Sequence, residues 1–232
     1  MAADPPREPV VFVHGWGGSF RRTWAEPGWS ALLADAGRTT IGVDLLGHGE
    51  APKPHDPEAY ADLGARVLEA LPDEPVAAVG FSLGAMTLLK VVSQHPGRFT
   101  RLVVMGVGEN LFREDVERHR AIVAAVTGTG SADDVQAQVF AQYANQPGND
   151  PEALAAIMQR RGRPVSRDDL ARVSVPTLVV IGDKDFAGPG DPLVAALPNA
   201  TLKVLRNVDH FATTESFAAI DAVLEFLGAT PG

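Results

Sequence analysis

The chain has 232 residues, 45% of them hydrophobic and 21% charged, so it can bury a sizeable core and is too apolar to be disordered. Twenty Lys and Arg against 29 Asp and Glu give a formal net charge of −9, which argues against nucleic acid or an anionic membrane surface as the main partner. Cysteine is absent, which excludes disulfides, thiolate metal sites and a cysteine nucleophile and leaves the cytoplasm as the default location.

Residues 1–8 mix Asp4, Arg7 and Glu8 with Pro5 and Pro6 and lack the apolar run of a secretory signal. No apolar run approaches the roughly 18 residues of a membrane span, so a soluble protein is expected. In chain order, short runs rich in Val, Ile and Leu at residues 9–13, 39–43, 75–79, 101–105, 176–181 and 201–205 read as strands buried in a parallel sheet. Residues 23–36, 57–71, 83–95 and 191–197 read as helices between them, and 213–227 as a helix after the last strand. This alternation predicts one α/β domain over residues 1–232, a mostly parallel sheet of about six strands flanked by helices. Between residues 108 and 175 the rhythm breaks. Three amphipathic stretches, 113–126, 132–143 and 151–161, punctuated by Gly and Pro, predict a small helical insertion over 111–172.

Gly80-Phe81-Ser82-Leu83-Gly84 follows the third strand and leads into a helix. A turn this sharp strains its central residue, while the flanking glycines avoid clashes and leave the Ser82 hydroxyl exposed. The alternative is a glycine-rich turn that binds phosphate at a helix N-terminus, but no phosphate-loop pattern surrounds it. A serine nucleophile needs a base and a group to orient that base. Of the six histidines, His95 falls at a helix end, His119 in the insertion and His55 in a Pro-rich loop. His210 leaves the final strand at the C-terminal edge of the sheet, where catalytic groups of open α/β sheets gather. The orienting acid is Asp183 or Asp185 after the fifth strand, with Glu109 after the fourth as a rival and Asp209 a weak fourth candidate. After the first strand, His14-Gly15-Trp16-Gly17-Gly18 permits a tight turn that offers the Trp16 N–H as one oxyanion donor, with the Leu83 N–H as the second. No metal-ligand cluster is visible.

These motifs resemble, over essentially the whole chain, the α/β-hydrolase family. His14-Gly15-Trp16-Gly17-Gly18 corresponds to the oxyanion loop, Asp44-Leu45-Leu46-Gly47-His48-Gly49 to the turn after the second strand, and Gly80-Phe81-Ser82-Leu83-Gly84 to the nucleophile elbow. Gly182-Asp183-Lys184-Asp185 and His210-Phe211 follow in family order. The family's G-x-x-D spacing selects Asp185 over Asp183, with Glu109 next because some lipases of the family carry the acid after the earlier strand. The chain departs from the family in starting almost at the oxyanion strand, without the common N-terminal hairpin, and in Leu46 and Glu50, where relatives often carry Arg or Pro and Ser.

The resemblance implies a serine hydrolase, foremost a carboxylesterase acting on small or medium acyl esters through an acyl-enzyme. Ser82 is then the nucleophile, His210 the base and Asp185 the acid, with Trp16 and Leu83 N–H groups as the oxyanion hole and no cofactor. Thioesters, lactones, carbon–carbon bonds and perhydrolysis stay open, as does a weakly catalytic small-molecule receptor. The insertion occupies the family's cap position and is expected to wall the pocket with Phe112, Val139, Phe140, Tyr143 and Met158. Gly15, Phe81 and Phe211, next to the motifs, complete the substrate-contact candidates. The partner expected is a small ester-like molecule; oligomeric state is not specified.

Overall fold

The computed structural model describes residues 8–113 and 115–230; the N-terminal stretch read above for a signal lies, except for Glu8, outside the described residues. Six strands, β1 (Val10–Val13), β2 (Thr40–Val43), β3 (Val76–Phe81), β4 (Phe99–Met105), β5 (Thr177–Gly182) and β6 (Ala200–Leu205), form one sheet in the order β2-β1-β3-β4-β5-β6. Every pairing is parallel. β1, β3 and β5 are buried along their whole length, whereas the edge strands β2 and β6 are partly exposed. That contrast follows from position, because only a central strand has both faces covered by helices.

Successive side chains of a strand point to opposite faces, and this divides the core. Val11, Val13, Ala78, Leu102, Val104 and Val179 face α2 (Gly64–Ala70), α3 (Leu83–Gln94) and α8 (Asp191–Val194). Val10, Phe12, Val79, Val103, Met105 and Val180 face α1 (Trp29–Asp35) and α9 (Phe217–Leu227), through Trp29, Leu33, Val223 and Leu224. Each fully buried Val, Leu or Phe contributes about 1.5–3 kcal/mol relative to exposure. α3 is buried on nearly every side, which fixes its N-terminus, and with it Ser82, against the sheet.

Between β4 and β5 the chain forms α4 (Val116–Val126), α5 (Val135–Ala144), α6 (Pro151–Met158) and α7 (Arg167–Ala171). Asp115, Asp134 and Asp150 cap the first three by accepting backbone N–H groups, and Ser166 and Asp169 form a capping box on the fourth, each satisfying donors that a helix end leaves free. Ile122, Val126, Ala137, Ala141, Leu154 and Ile157 from these helices join the same apolar cluster as the α3 face of the sheet.

Several helix boundaries differ from those expected. Residues 23–36 divide into a π-turn at Arg21–Ala25 and α1, because Pro27 and Gly28, with Gly28 at φ 96°, interrupt the helix. Residues 57–71 divide likewise into a 3-10 turn at Pro57–Tyr60 and α2. α7 lies in a segment for which no helix was expected; it is only five residues long and its formation rests on the capping box. No helix of the described residues is long and apolar enough to cross a membrane.

Candidate active site

The strand order reverses between β1 and β3: the chain steps from β1 outward to β2, then returns to the other side of β1. A crevice forms at the C-terminal ends of strands flanking such a reversal. Here its two sides are the turn after β1 and the elbow after β3. The elbow is tight because α3 must start directly against β1. A Cβ on Gly84 would stand 2.3 Å from the Val13 carbonyl oxygen, and one on Gly80 would stand 2.8 Å from the Ala85 backbone. Ser82 between them takes φ 50°, ψ −114°, a conformation that costs a non-glycine residue about 1–3 kcal/mol. The distortion lifts its hydroxyl out of the strand.

The hydroxyl meets an imidazole. Ser82 Oγ lies 3.0 Å from His210 Nε2, and His210 Nδ1 lies 2.9 Å from both Asp185 carboxylate oxygens. The His210 and Asp185 side chains are 6% and 0% exposed, and Asp185 Oδ1 also accepts the Ala187 N–H at 2.8 Å. A carboxylate facing Nδ1 keeps the proton there, so that Nε2 is the free base directed at the hydroxyl. The other acids are engaged elsewhere. Glu109 pairs with Arg113, Asp183 accepts the Asn207 N–H at 2.7 Å and Asp209 accepts the Ala212 N–H at 3.0 Å.

His210 reaches across β4 to Ser82, and Gly106 after β4 makes room for it: a Cβ there would stand 3.1 Å from the imidazole and 2.6 Å from the Phe81 ring. The Trp16 and Leu83 N–H groups have no acceptor among the described residues. Leu83 is the first residue of α3, where free N–H groups and the helix dipole favour negative charge.

The remaining histidines sit apart from the relay. His14 Nε2 accepts the Leu45 N–H at 3.1 Å, so the ring proton is on Nδ1, which donates to the Gly15 carbonyl at 2.8 Å; burial lowers its pKa below the ordinary value. His48, its ring 4.9 Å away and tilted by 55°, is pushed well below that value, chiefly by burial. Exposed His55 lies between Asp150 and Glu152 at the start of α6, beside a cleft of about 630 Å³ that no residue of the Ser82 relay lines. Among the described residues no cluster of His, Asp or Glu is disposed to hold a metal ion.

Aromatic rings enclose the relay. Phe81 and Phe186 lie 4.9 and 4.2 Å from the His210 ring, and Phe211 meets it edge-on at 5.6 Å. α5 closes the far side, with Phe140 5.5 Å from Trp16 and 6.0 Å from both Phe186 and Phe211, and Tyr143 5.8 Å from Phe211. Gly15 allows Phe81 to approach, since a Cβ there would stand 2.9 Å from that ring. Two residues expected in the wall lie elsewhere: Phe112 stacks under the Arg167 guanidinium at 4.4 Å and Val139 is 37% exposed. Met158 packs against the same apolar cluster as Phe140 and Tyr143. Phe186, which touches His210 most closely, was not expected. Its place directly after Asp185 is the only signal in the sequence.

The fold and the Ser82 relay define the class, and the chain belongs to the α/β-hydrolase fold family, whose pattern matches residues 8–156. It is 28% identical, with 91% of each chain covered, to a pimeloyl-[acyl-carrier protein] methyl ester esterase of Neisseria meningitidis. It is 26% identical to a non-heme haloperoxidase of Rhodococcus erythropolis over 93% of this chain and 90% of that one. Among solved structures, an enol-lactonase from Burkholderia xenovorans superposes with a TM-score of 0.71 at 20% identity, covering 97% of this chain and 93% of that one, which is a likeness of fold.

Proposed function

We propose that this α/β-hydrolase is a carboxylic ester hydrolase acting on small or medium acyl esters, with Ser82 as nucleophile. The observation that carries the reading is the continuous chain of hydrogen bonds from Ser82 Oγ through His210 to buried Asp185. As Oγ attacks the ester carbonyl, Nε2 takes its proton, and the buried carboxylate stabilises the imidazolium. The developing oxyanion is met by the Trp16 and Leu83 N–H groups. His210 then returns the proton to the departing alcohol, and water repeats the sequence on the acyl-enzyme.

The segment 111–172 acts as a cap that supplies Phe140 and Tyr143 to the pocket wall. Rings packed 4–6 Å from the imidazole favour compact apolar acyl groups. Relatives named as methyl ester esterases, aligned over nine-tenths of this chain, support ester over the lactone, thioester, carbon–carbon and perhydrolysis chemistry that the same relay can serve. The lack of cysteine agrees with a cytoplasmic location. A panel of esters varied in acyl and alcohol length tests the reading on the wild type and Ser82→Ala. Multiple turnover is expected in the first and its loss in the second; wild-type turnover in Ser82→Ala, or a single turnover only in the wild type, overturns it.

A further inference from the structure

The turn that carries the Trp16 N–H is held from two sides by groups outside the proton relay. Residues 15–18 form a turn closed by the Gly18 N–H on the Gly15 carbonyl at 3.1 Å. Gly17, at φ 72°, occupies the third position, where a type II turn requires a left-handed residue. The Gly15 carbonyl, in the same peptide plane as the Trp16 N–H, also accepts His14 Nδ1–H at 2.8 Å.

On the other side, the Gly17 carbonyl receives two donors, Arg22 Nη2 and Asn149 Nδ2, both at 2.8 Å. These donors are tied to each other, since Arg22 Nη2 also donates to Asn149 Oδ1 at 2.7 Å. They are tied to α5 and the loop after it as well: Asn149 Nδ2 donates to the Tyr143 carbonyl of α5 at 3.0 Å, and Arg22 Nη1 to Gln146 Oε1, just beyond α5, at 3.0 Å. The Trp16 side chain is gripped by the same inserted segment, donating from Nε1 to the Leu154 carbonyl of α6 at 3.0 Å.

We propose that Arg22 and Asn149 form a clasp through which the inserted helices set the direction of the Trp16 N–H, so that sheet and insertion build the oxyanion hole jointly. Both are positioning residues, and the inference rests on the reading of Trp16 as an oxyanion donor. The physical need is plain in the loop's composition. Gly15, Gly17 and Gly18 leave the backbone unusually free, while an oxyanion donor works only when held about 2.7–3.1 Å from where the charge develops. Two donors on one carbonyl, one of them charged, remove that freedom. Without the clasp the turn still forms, but its N–H samples directions that miss the oxyanion.

The test compares wild type, Ser82→Ala, Asn149→Leu, Asn149→Asp, Arg22→Gln and Arg22→Lys in hydrolysis of one p-nitrophenyl ester and in inhibition by a trifluoromethyl ketone. Ser82 Oγ adds to the ketone carbonyl, its proton passing to His210, and the resulting hemiketal oxyanion takes the place of the transition-state charge. Asn149→Leu and Arg22→Gln are expected to lower kcat about tenfold or more, part of the roughly 10²–10³ that a whole oxyanion donor is worth. Ketone affinity should fall by the same factor, with KM within about twofold and the pH dependence unshifted, because uniform substrate binding and the relay are untouched. Arg22→Lys, which keeps a charged donor, should recover most of the loss.

The inference is overturned if folded Asn149→Leu and Arg22→Gln keep kcat and ketone affinity within about twofold of wild type, if kcat falls without a matching loss of ketone affinity, or if only KM changes. Should Asn149→Leu not fold, Asn149→Asp, which keeps the shape and the Arg22 contact but removes the donor to Gly17, carries the same expectation. Wild-type turnover in Ser82→Ala overturns the serine reading itself. An inert Ser82→Ala beside unimpaired clasp variants overturns the clasp alone.

Discussion

Replacing Asp185 by Asn changes one oxygen to an amide nitrogen without changing shape, and the surroundings set the cost. Oδ1 is the acceptor of the Ala187 N–H, so the amide oxygen of the variant settles there and its NH₂ faces His210 Nδ1. That orientation sets the NH₂ against an Nδ1 proton, so the ring favours the tautomer in which Nδ1 accepts and Nε2 carries the proton, leaving no base toward Ser82. The wrong tautomer cost about 10⁴ in kcat in a serine protease, roughly 5.5 kcal/mol of barrier. The reverse orientation restores the tautomer but sets the NH₂ against the Ala187 N–H in a buried site, at about 1–3 kcal/mol for the unmet donors. The fraction of molecules so oriented is then about one in six to one in a hundred and sixty, and these also lack the carboxylate charge. The two routes together predict a fall in kcat of two to four orders of magnitude, roughly 3–5.5 kcal/mol. Glu109→Gln, whose side chain is 31% exposed and paired with Arg113, should stay within about threefold of wild type. Steady-state kinetics of both variants on one ester, with folding checked by circular dichroism, decides the matter. An Asp185→Asn variant within tenfold of wild type, or a Glu109→Gln variant impaired as severely, would refute the assignment.

Ser82→Gly, compared with Ser82→Ala, should raise Tm by about 2 °C in calorimetry, because relief of about 1–3 kcal/mol of backbone strain exceeds the roughly 0.5–1 kcal/mol entropy penalty of glycine; an equal or lower Tm means that the elbow stores no strain. Stability should fall on acidification below pH 6.5. His14 and His48 are held neutral by burial in the folded chain but titrate near 6.5 when unfolded, so the unfolded state binds more protons and stability, full above 6.5, is lost as pH drops. At pH 5 the loss reaches at most about 2 kcal/mol per histidine. Asp169, held below the usual carboxylate range first by the Ser166 N–H, loses its contribution only at more acidic pH. Exposed His55, raised by its bond to Asp150, works in the opposite direction. Denaturant titrations from pH 7.5 to 5 should show the slope, shallower in His48→Gln, and a flat profile contradicts the account. Phe140→Ala or Tyr143→Ala should shift preference toward longer acyl chains on an ester panel, whereas exposed Val139→Ala should not; an unchanged profile in all three removes α5 from the pocket.

All six strands were readable to within two residues because continuous Val- and Ile-rich runs have few alternatives to a buried parallel strand. Helix ends were less legible: Pro27 and Gly28 stood in plain view inside an otherwise helical pattern, and α7 is shorter than the window in which periodicity can be recognised. Ser82 and His210 could be singled out because each follows its own strand within a few residues, whereas Asp183, Glu109 and Asp209 met the same condition as Asp185, which only the G-x-x-D spacing of the family resemblance selected. Phe186 offered only its place directly after Asp185, and Arg22 and Asn149 offered no such signal. Arg22 and Asn149 lie 127 positions apart in the chain, and their meeting depends on how the insertion folds back over the turn after β1.

Gly106 performs no chemistry, yet the distance between nucleophile and base depends on it. Ser82 follows β3 and His210 follows β6, with β4 and β5 between them, and the imidazole crosses that interval over the spot where a side chain at position 106 would stand. What the strand between contributes is therefore a vacancy. Alanine there would have to displace Phe81 or tilt the imidazole, and its positive φ of 66° makes the backbone resist as well. In a saturation library scored for activity, position 106 should look as intolerant as a reactive residue while contributing no functional group, and a redesign that fills this hole would dismantle the relay without touching any of its three members.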